Sequence, residues 1–388
     1  MYKILTLNNI SVLGLERLPR EQYEVASEIQ HPDAVLVRSF KMHEWEIPST
    51  LKAVGRAGAG INNIPLEKMS AKGIAVFNTP GANANAVKEL VMGCMLLSAR
   101  NLFAAWEYTR HLQGTDSEIS KKVEAEKKQF VGNELAKRTL GVIGLGAIGV
   151  KVANAAQALG MQVIGYDPHI TVNNAWQLSS NVKQASSVED VLAQSEFVTL
   201  HVPLLEETRH TINAERLRNA RKGLTILNFS REGIIDDGAV CEAIKTGRVK
   251  NYVCDFPNNL LIKHERVIVL PHLGASTHEA EENCAIMVAD QVREFLEQGT
   301  VRNSVNFPEI DMPRSSGNHR LMVVNANVPH MIERISAAMS KANLNIINMA
   351  NRSRGNIACT LMDVEEAIPQ HVIENISGVE GVLAVRAL

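Results

Sequence analysis

TLGVIGLGAIGVKVANAAQALGMQVIGYDP, residues 139–168, decides the fold. Two apolar runs, 139–144 and 162–167, have the length and composition of buried strands. Between them Ile148, Val152, Ala155, Ala156 and Leu159 recur at helical spacing, and Gly160 stands where a C-terminal cap belongs. The turn into the helix carries Gly144, Gly146 and Gly149 as G-x-G-x-x-G. The first glycine permits a tight turn, the second lets a pyrophosphate approach the backbone, and the third lets helix and strand pack closely. With Ala147 and Ile148 they form the expected phosphate cradle, where helix N–H groups and the helix dipole favour an anion. Asp167 ends the second strand, 18 residues beyond Gly149. A carboxylate there accepts hydrogen bonds from an adenosine ribose and repels a 2′-phosphate, so the expected cofactor is NAD rather than NADP.

Working outward, strand patterns continue at 197–202, 224–229, 251–256 and 266–271, with helical stretches between most of them. This alternation predicts a doubly wound parallel sheet in the α/β class. Upstream, 2–7, 34–39, 51–58 and 74–80 read as further buried parallel strands. Residues 85–102 read as one long helix, 115–130 as a charged, solvated connection, and 277–299 as an amphipathic helix. A proline- and serine-containing stretch, 306–318, reads as a linker. After it, 319–388 follows a βαββαβ order and predicts a small α+β module.

The totals narrow the function classes. With 388 residues, two or three domains are expected. Forty basic against 42 acidic side chains leave a net charge of −2, no electrostatic basis for binding nucleic acid or an anionic membrane. Five scattered cysteines without C-x-x-C spacing read as buried thiols in a reducing compartment, and no metal site is expected. The N-terminus reads as a strand rather than a signal segment, and no run reaches ~18 apolar residues. A cytoplasmic protein is expected.

Ligands of such sheets bind beyond the carboxyl ends of the strands. Arg231 follows one of those ends, where a guanidinium can fork onto a carboxylate, although a surface arginine with a solvent partner has the same signature. His272 follows another. A free imidazole titrates near ~6.5 and can take the proton of an alcohol, although a lone histidine is more often structural. Arg38 and Arg56 stand at strand ends in the first hundred residues. The small residues Ala57, Gly58 and Ala59 after Arg56 suggest a backbone nest for an anion. Two cations and a nest suggest a small substrate with two anionic ends.

Together these pieces resemble the NAD-dependent D-2-hydroxyacid dehydrogenases. The resemblance rests, in order, on VRSF, VGRAGAGINNI, FNTPGANANAVKEL, GVIGLGAIG with Asp167, HVPL, NFSREGIIDDGAV, VCDFP and LPHLGAST, and covers nearly the whole chain. It implies Arg231 and His272 as catalytic residues, Arg38 and Arg56 as phosphate- or carboxylate-binding residues, and the Ala57–Ala59 backbone as a carboxylate nest. It also implies His201, Val202 and Pro203 at the cofactor, with Asp255 near the nicotinamide amide. The resemblance makes the substrate domain discontinuous, 1–85 with 285–305, flavodoxin-like, with an NAD domain over 86–284 inserted in it. The module at 319–388 resembles an ACT domain, which implies a homo-oligomer and an amino-acid effector held by Asn327 and Asn345. Two departures stand out. The family's glutamate, five positions after the aspartate, is Leu260 here, and Glu265 is the nearest downstream acid. A Pro-Gly turn beside the effector is Pro329–His330 here, which weakens the case for inhibition by serine. A dehydrogenase for some other D-2-hydroxyacid, or an NAD or amino-acid sensor without turnover, are the rival readings.

Overall fold

The computed structural model describes residues 1–314 and 317–388; Ser315 and Ser316, inside the expected linker, lie outside the described residues. The chain divides into two compact units, Ala84–Thr277 and Met1–Asn83 with His278–Leu388. The boundaries expected at 85/86 and 284/285 therefore shift, because they would cut the helices Ala84–Ala99 and His278–Gln298. Each helix buries its apolar stripe in a single core, so it belongs whole to one unit.

Ala84–Thr277 holds a seven-stranded, wholly parallel sheet. Its order is Val267–Val269, Val249–Cys254, Leu224–Asn228, Phe197–Leu200, Thr139–Ile143, Gln162–Tyr166 and Lys183–Gln184. The winding direction reverses between Thr139–Ile143 and Phe197–Leu200, the topological switch point. Both faces are buried: Leu140, Val142, Leu227 and Val253 enter one cluster, and Ile143, Leu200, Ile226 and Tyr252 enter the other. This explains strands that read as continuous apolar runs.

Two expectations for this unit change. The single helix expected over 85–102 ends at Ala99, and a second, Leu102–Arg110, begins after Asn101, whose φ of 51° is left-handed. Asparagine adopts that conformation more readily than other non-glycine residues. The connection expected at 115–130 is itself helical, Asp116–Glu126 followed by a 3₁₀ turn, Lys127–Phe130. Glu118 starts it by accepting the Thr115 N–H at 2.8 Å, a contact that helical periodicity of apolar residues does not reveal.

The other unit begins with a five-stranded parallel sheet in the order Tyr23–Ala26, Tyr2–Leu7, Ala34–Val37, Ala53–Arg56, Ala75–Phe77. This is the flavodoxin-like order. Tyr23–Ala26, absent from the sequence reading, is a four-residue edge strand with a mixed burial pattern. The helix His278–Gln298 covers this sheet, with Val288, Val292 and Phe295 buried beside Leu36 and Phe77.

The βαββαβ module follows. Its antiparallel sheet runs Ile346–Arg354, Ile357–Val364, His319–Ala326, Val382–Ala387. One face carries the helices Met331–Lys341 and Gln370–Ser377 over Leu321, Val323 and Met362. The opposite face places Met322, Val324, Cys359 and Leu361 in the same core as Phe295 and Phe307. Arg320 and Asp363 form a wholly buried bidentate ion pair at 2.6 and 2.8 Å, and Arg320 Nη1 also donates to Gln298 O at 3.0 Å. The first part of the expected linker is packed rather than loose. Phe307 is buried, and Asn306 accepts the Val76 N–H at 2.9 Å while donating to Ile74 O at 2.9 Å. No helix among the described residues is long and apolar enough to cross a membrane.

Candidate active site

The glycine turn lies at the switch point. Gly144 has φ +90°, and a Cβ there would stand 2.8 Å from the His201 carbonyl. A Cβ on Gly149 would lie 1.9 Å from Gly144 O, so the helix Ala147–Ala158 can start here only with glycine. At Gly146 nothing lies within 4 Å, which leaves the approach to the helix N-terminus open. Asp167 fastens this turn to the next strand. Its Oδ2 accepts the Leu145 N–H and its Oδ1 the His169 N–H, both at 2.8 Å. Each oxygen keeps a lone pair for a ribose hydroxyl.

His201 follows the strand Phe197–Leu200 on the other side of the switch point. Its Nε2 lies 3.0 Å from Thr199 Oγ1, and its Nδ1 is buried without a partner. Burial pushes its pKa down to about 3, so the ring is neutral. Ser230 Oγ donates to Val202 O at 2.5 Å, tying the HVP segment, Val202 and Pro203 included, to the turn that carries Arg231.

That turn is shaped by Asn228, the last residue of its strand and almost wholly buried. Asn228 Oδ1 accepts the Ser230 N–H at 3.1 Å, and its Nδ2 donates to Arg231 O at 3.0 Å. Arg231 is thereby held out at the carboxyl edge of the sheet. Its Nη1 donates to Ser230 O at 2.6 Å, and no carboxylate among the described residues pairs with it.

His272 lies past the end of a strand on the same side of the same parallel sheet. Its φ of 43° is left-handed, an uncommon conformation for histidine, and its N–H donates to Asp255 O at 3.1 Å. Asp255, 1% exposed, also accepts the Gly274 N–H through Oδ2 at 3.0 Å. One aspartate thus holds the backbone on both sides of Leu273. Its Oδ1 is buried and unpartnered. Burial raises the Asp255 pKa, partly offset by the Gly274 hydrogen bond and the charge of His272.

The His272 ring packs edge-on against Phe256, with centroids 5.3 Å apart. Among the described residues no carboxylate hydrogen-bonds it. Leu260, at the position of the expected glutamate, is 51% exposed, and Glu265 is exposed too. Asn258 builds this loop instead. Its Oδ1 accepts the N–H groups of Leu260 and Leu261 at 3.1 and 3.0 Å, while its Nδ2 donates to Asp237 Oδ2 at 2.7 Å.

In the other unit, Arg38 follows the strand Ala34–Val37 and Arg56 ends the adjacent parallel strand Ala53–Arg56. Arg38 Nη2 meets Glu281 Oε1 at 2.6 Å. Arg56 turns inward: Nε donates to Arg38 O at 3.1 Å, and Nη1 to Gly60 O. The nest offers fewer donors than its composition suggests. The Ala57 N–H continues the sheet ladder to Val37 O at 2.8 Å, and the Gly58 N–H folds onto Arg56 O at 2.9 Å, which leaves Ala59.

In the C-terminal module Asn327 and Asn345 stand at opposite ends of the sheet. Ala326, beside Asn327, pairs with Ile357, whereas Ile346, beside Asn345, pairs with Val364. One ligand could touch both only across two chains. His330 sits at φ 66°, where glycine would be unstrained, and its Nδ1 lies 3.2 Å from Glu333 Oε2.

The orphaned acceptor on Asp255, the open Gly146 and the cradle around Asp167 fit a dinucleotide with its carboxamide at the His272 end. Comparison with known proteins supports NAD as the cofactor. The D-isomer specific 2-hydroxyacid dehydrogenase NAD binding domain matches residues 102–274. D-3-phosphoglycerate dehydrogenase of Haemophilus influenzae is 32% identical over 354 residues, 88% of this chain and 82% of that protein.

The chain belongs to the D-2-hydroxyacid dehydrogenase family.

D-3-phosphoglycerate dehydrogenase of Methanocaldococcus jannaschii is 38% identical over 296 residues, 74% of this chain and 54% of that protein. The chain spans about half the length of this and several other relatives in the family. Among solved structures, NAD⁺-bound 3-phosphoglycerate dehydrogenase of Entamoeba histolytica superposes with a TM-score of 0.61 at 27% identity, covering 79% of this chain and 98% of that one. As a member of this family the chain carries an NAD-binding domain over the matched residues. Sequence reasoning missed Asn228, whose side chain shapes the turn of Arg231, Asn258, which shapes the loop of Leu260, and Glu281, which pairs with Arg38. A polar residue ending a buried strand was the available signal for Asn228.

Proposed function

We propose that this protein oxidises D-3-phosphoglycerate to 3-phosphohydroxypyruvate with NAD, the first step of serine biosynthesis. The observation that carries this reading is the row of Arg231, Asp255 and His272 along the carboxyl edge of one parallel sheet, beside a complete dinucleotide turn. The names of the relatives support the choice of substrate.

When bound, NAD supplies the hydride acceptor for the hydrogen on C2. The backbone of the Gly144–Gly149 turn seats the pyrophosphate, Asp167 the ribose, and Asp255 Oδ1 the amide of the nicotinamide. Arg231, free of any carboxylate among the described residues, forks onto the substrate carboxylate. The His272 ring takes the proton of the C2 hydroxyl as the hydride leaves, and returns it in the reverse direction. Arg38 takes the phosphate, while Arg56 holds the backbone of Arg38 and Gly60.

A homo-oligomer is part of this proposal. Leu102, Phe103 and Trp106 expose an apolar face on one short helix, and Ile347 and Met349 on an edge strand. An amino-acid effector on Asn327 and Asn345 would then use two chains. Five buried free thiols support a cytoplasmic setting.

The test is direct: purified protein should oxidise NADH with 3-phosphohydroxypyruvate and reduce NAD with D-3-phosphoglycerate. A folded protein that binds NADH and turns over neither would overturn the proposal. The lack of a carboxylate on His272 keeps a second reading in play, a dinucleotide sensor. Its signature would be tight NADH binding without turnover.

A further inference from the structure

The ion pair between Arg38 and Glu281 joins elements 243 residues apart. Arg38 follows the strand Ala34–Val37, and Glu281 lies in the first turn of His278–Gln298. Glu281 puts a carboxylate in front of Arg38, in the place that an anionic ligand group would take. Two of the Arg56 donors, Nε and Nη1, go to the carbonyls of Arg38 and Gly60. Arg56 thus fixes the backbone from which Arg38 projects. Both members of the pair are about two-fifths exposed, 41% and 40% for the side chains, so a ligand can reach them and solvent screens them.

We propose that Glu281 is a specificity-determining counter-ion, a built-in stand-in for the substrate's second anionic group, which must displace it from Arg38. This deepens the proposed function and rests on its assignment of Arg38 to the phosphate. Displacement leaves a carboxylate facing a dianion. Glu281 therefore lowers affinity for the phosphorylated acid, while a hydroxyacid without a phosphate leaves the pair intact. The repulsion acts in binding, not on the atoms that react.

The experiment compares Glu281→Gln with wild type, using D-3-phosphoglycerate and D-glycerate. The amide keeps the shape and one acceptor but removes the charge. KM for D-3-phosphoglycerate should fall roughly two- to five-fold, the range of a screened surface pair, with kcat unchanged. KM for D-glycerate should stay the same. Calorimetric titration of the NADH-loaded protein with D-3-phosphoglycerate should show the same gain without turnover. The gain should shrink as salt rises. An unchanged ratio of the two KM values, or a change equal for both acids, would overturn the role of Glu281. Arg38→Gln separates the two levels. If it leaves phosphoglycerate binding untouched, the assignment of Arg38 fails and the counter-ion role fails with it. If it weakens that binding while Glu281→Gln changes nothing, only the counter-ion role fails.

Discussion

Asp255→Asn is the sharpest probe of the proposed contact between Asp255 and the nicotinamide amide. Oδ2 accepts the Gly274 N–H at 3.0 Å, and Oδ1 is buried without a partner. Asparagine can keep the first bond through its carbonyl oxygen. The other position then becomes an NH₂ donor, which in the proposed complex would face the donor end of the nicotinamide amide. The lost interaction is a hydrogen bond to a charged group, which contributes ~1.5–3 kcal/mol. At about 1.4 kcal/mol per factor of ten, the Kd for NADH should rise between about ten-fold and about a hundred-fold. Fluorescence titration with NADH measures it. A second readout comes from pH. Burial raises the Asp255 pKa in the native state, whereas the unfolded carboxyl titrates near ~3.9. Between those two values the native state binds more protons, so this group's contribution to stability rises as pH falls. Thermal melts of the cofactor-free protein from about pH 4 to about pH 8 should show that slope in wild type and lose it in Asp255→Asn. NADH binding within about two-fold of wild type would refute the pairing of Oδ1 with the cofactor.

Three further outcomes are expected. Arg231→Ala should retain NADH binding but lose most of kcat/KM, by about two orders of magnitude or more for a removed charged contact, in a steady-state assay. Gly149→Ala should lower stability by about 1–3 kcal/mol in urea, because its Cβ meets Gly144 O at 1.9 Å, whereas Gly146→Ala should leave stability nearly unchanged and weaken only NADH binding. Arg320→Met should cost about 3–5 kcal/mol by leaving Asp363 buried and unpaired, and the double change with Asp363→Leu should recover much of that loss in denaturant titrations.

The parallel sheets were legible in sequence because strands buried on both faces are written as apolar runs. Tyr23–Ala26 escaped because an edge strand needs no such run. The break at Asn101 and the helix Asp116–Glu126 escaped for a related reason: one depends on a single residue's φ, the other on a cap and charged side chains. The site divides in the same way. Arg231 and His272 could be placed because each follows a recognisable strand. The loop around Leu260 could not, since Asn258 directs it toward Asp237 through contacts that no short pattern encodes.

The stretch 139–168 by itself determined the dinucleotide turn. Strand, glycines, helix and aspartate lie within thirty residues, and their geometry follows from local sterics and hydrogen bonds such as Asp167 to Leu145. Only the tertiary structure decided what each charged side chain faces. Asp255 reaches across 19 residues to Gly274, and Arg38 across 243 to Glu281. Arg56, an anion-binding candidate from its place at a strand end, directs two of its donors to the carbonyls of Arg38 and Gly60. A side chain's residue type sets what it can bind. The packing of distant segments sets which partner is within reach.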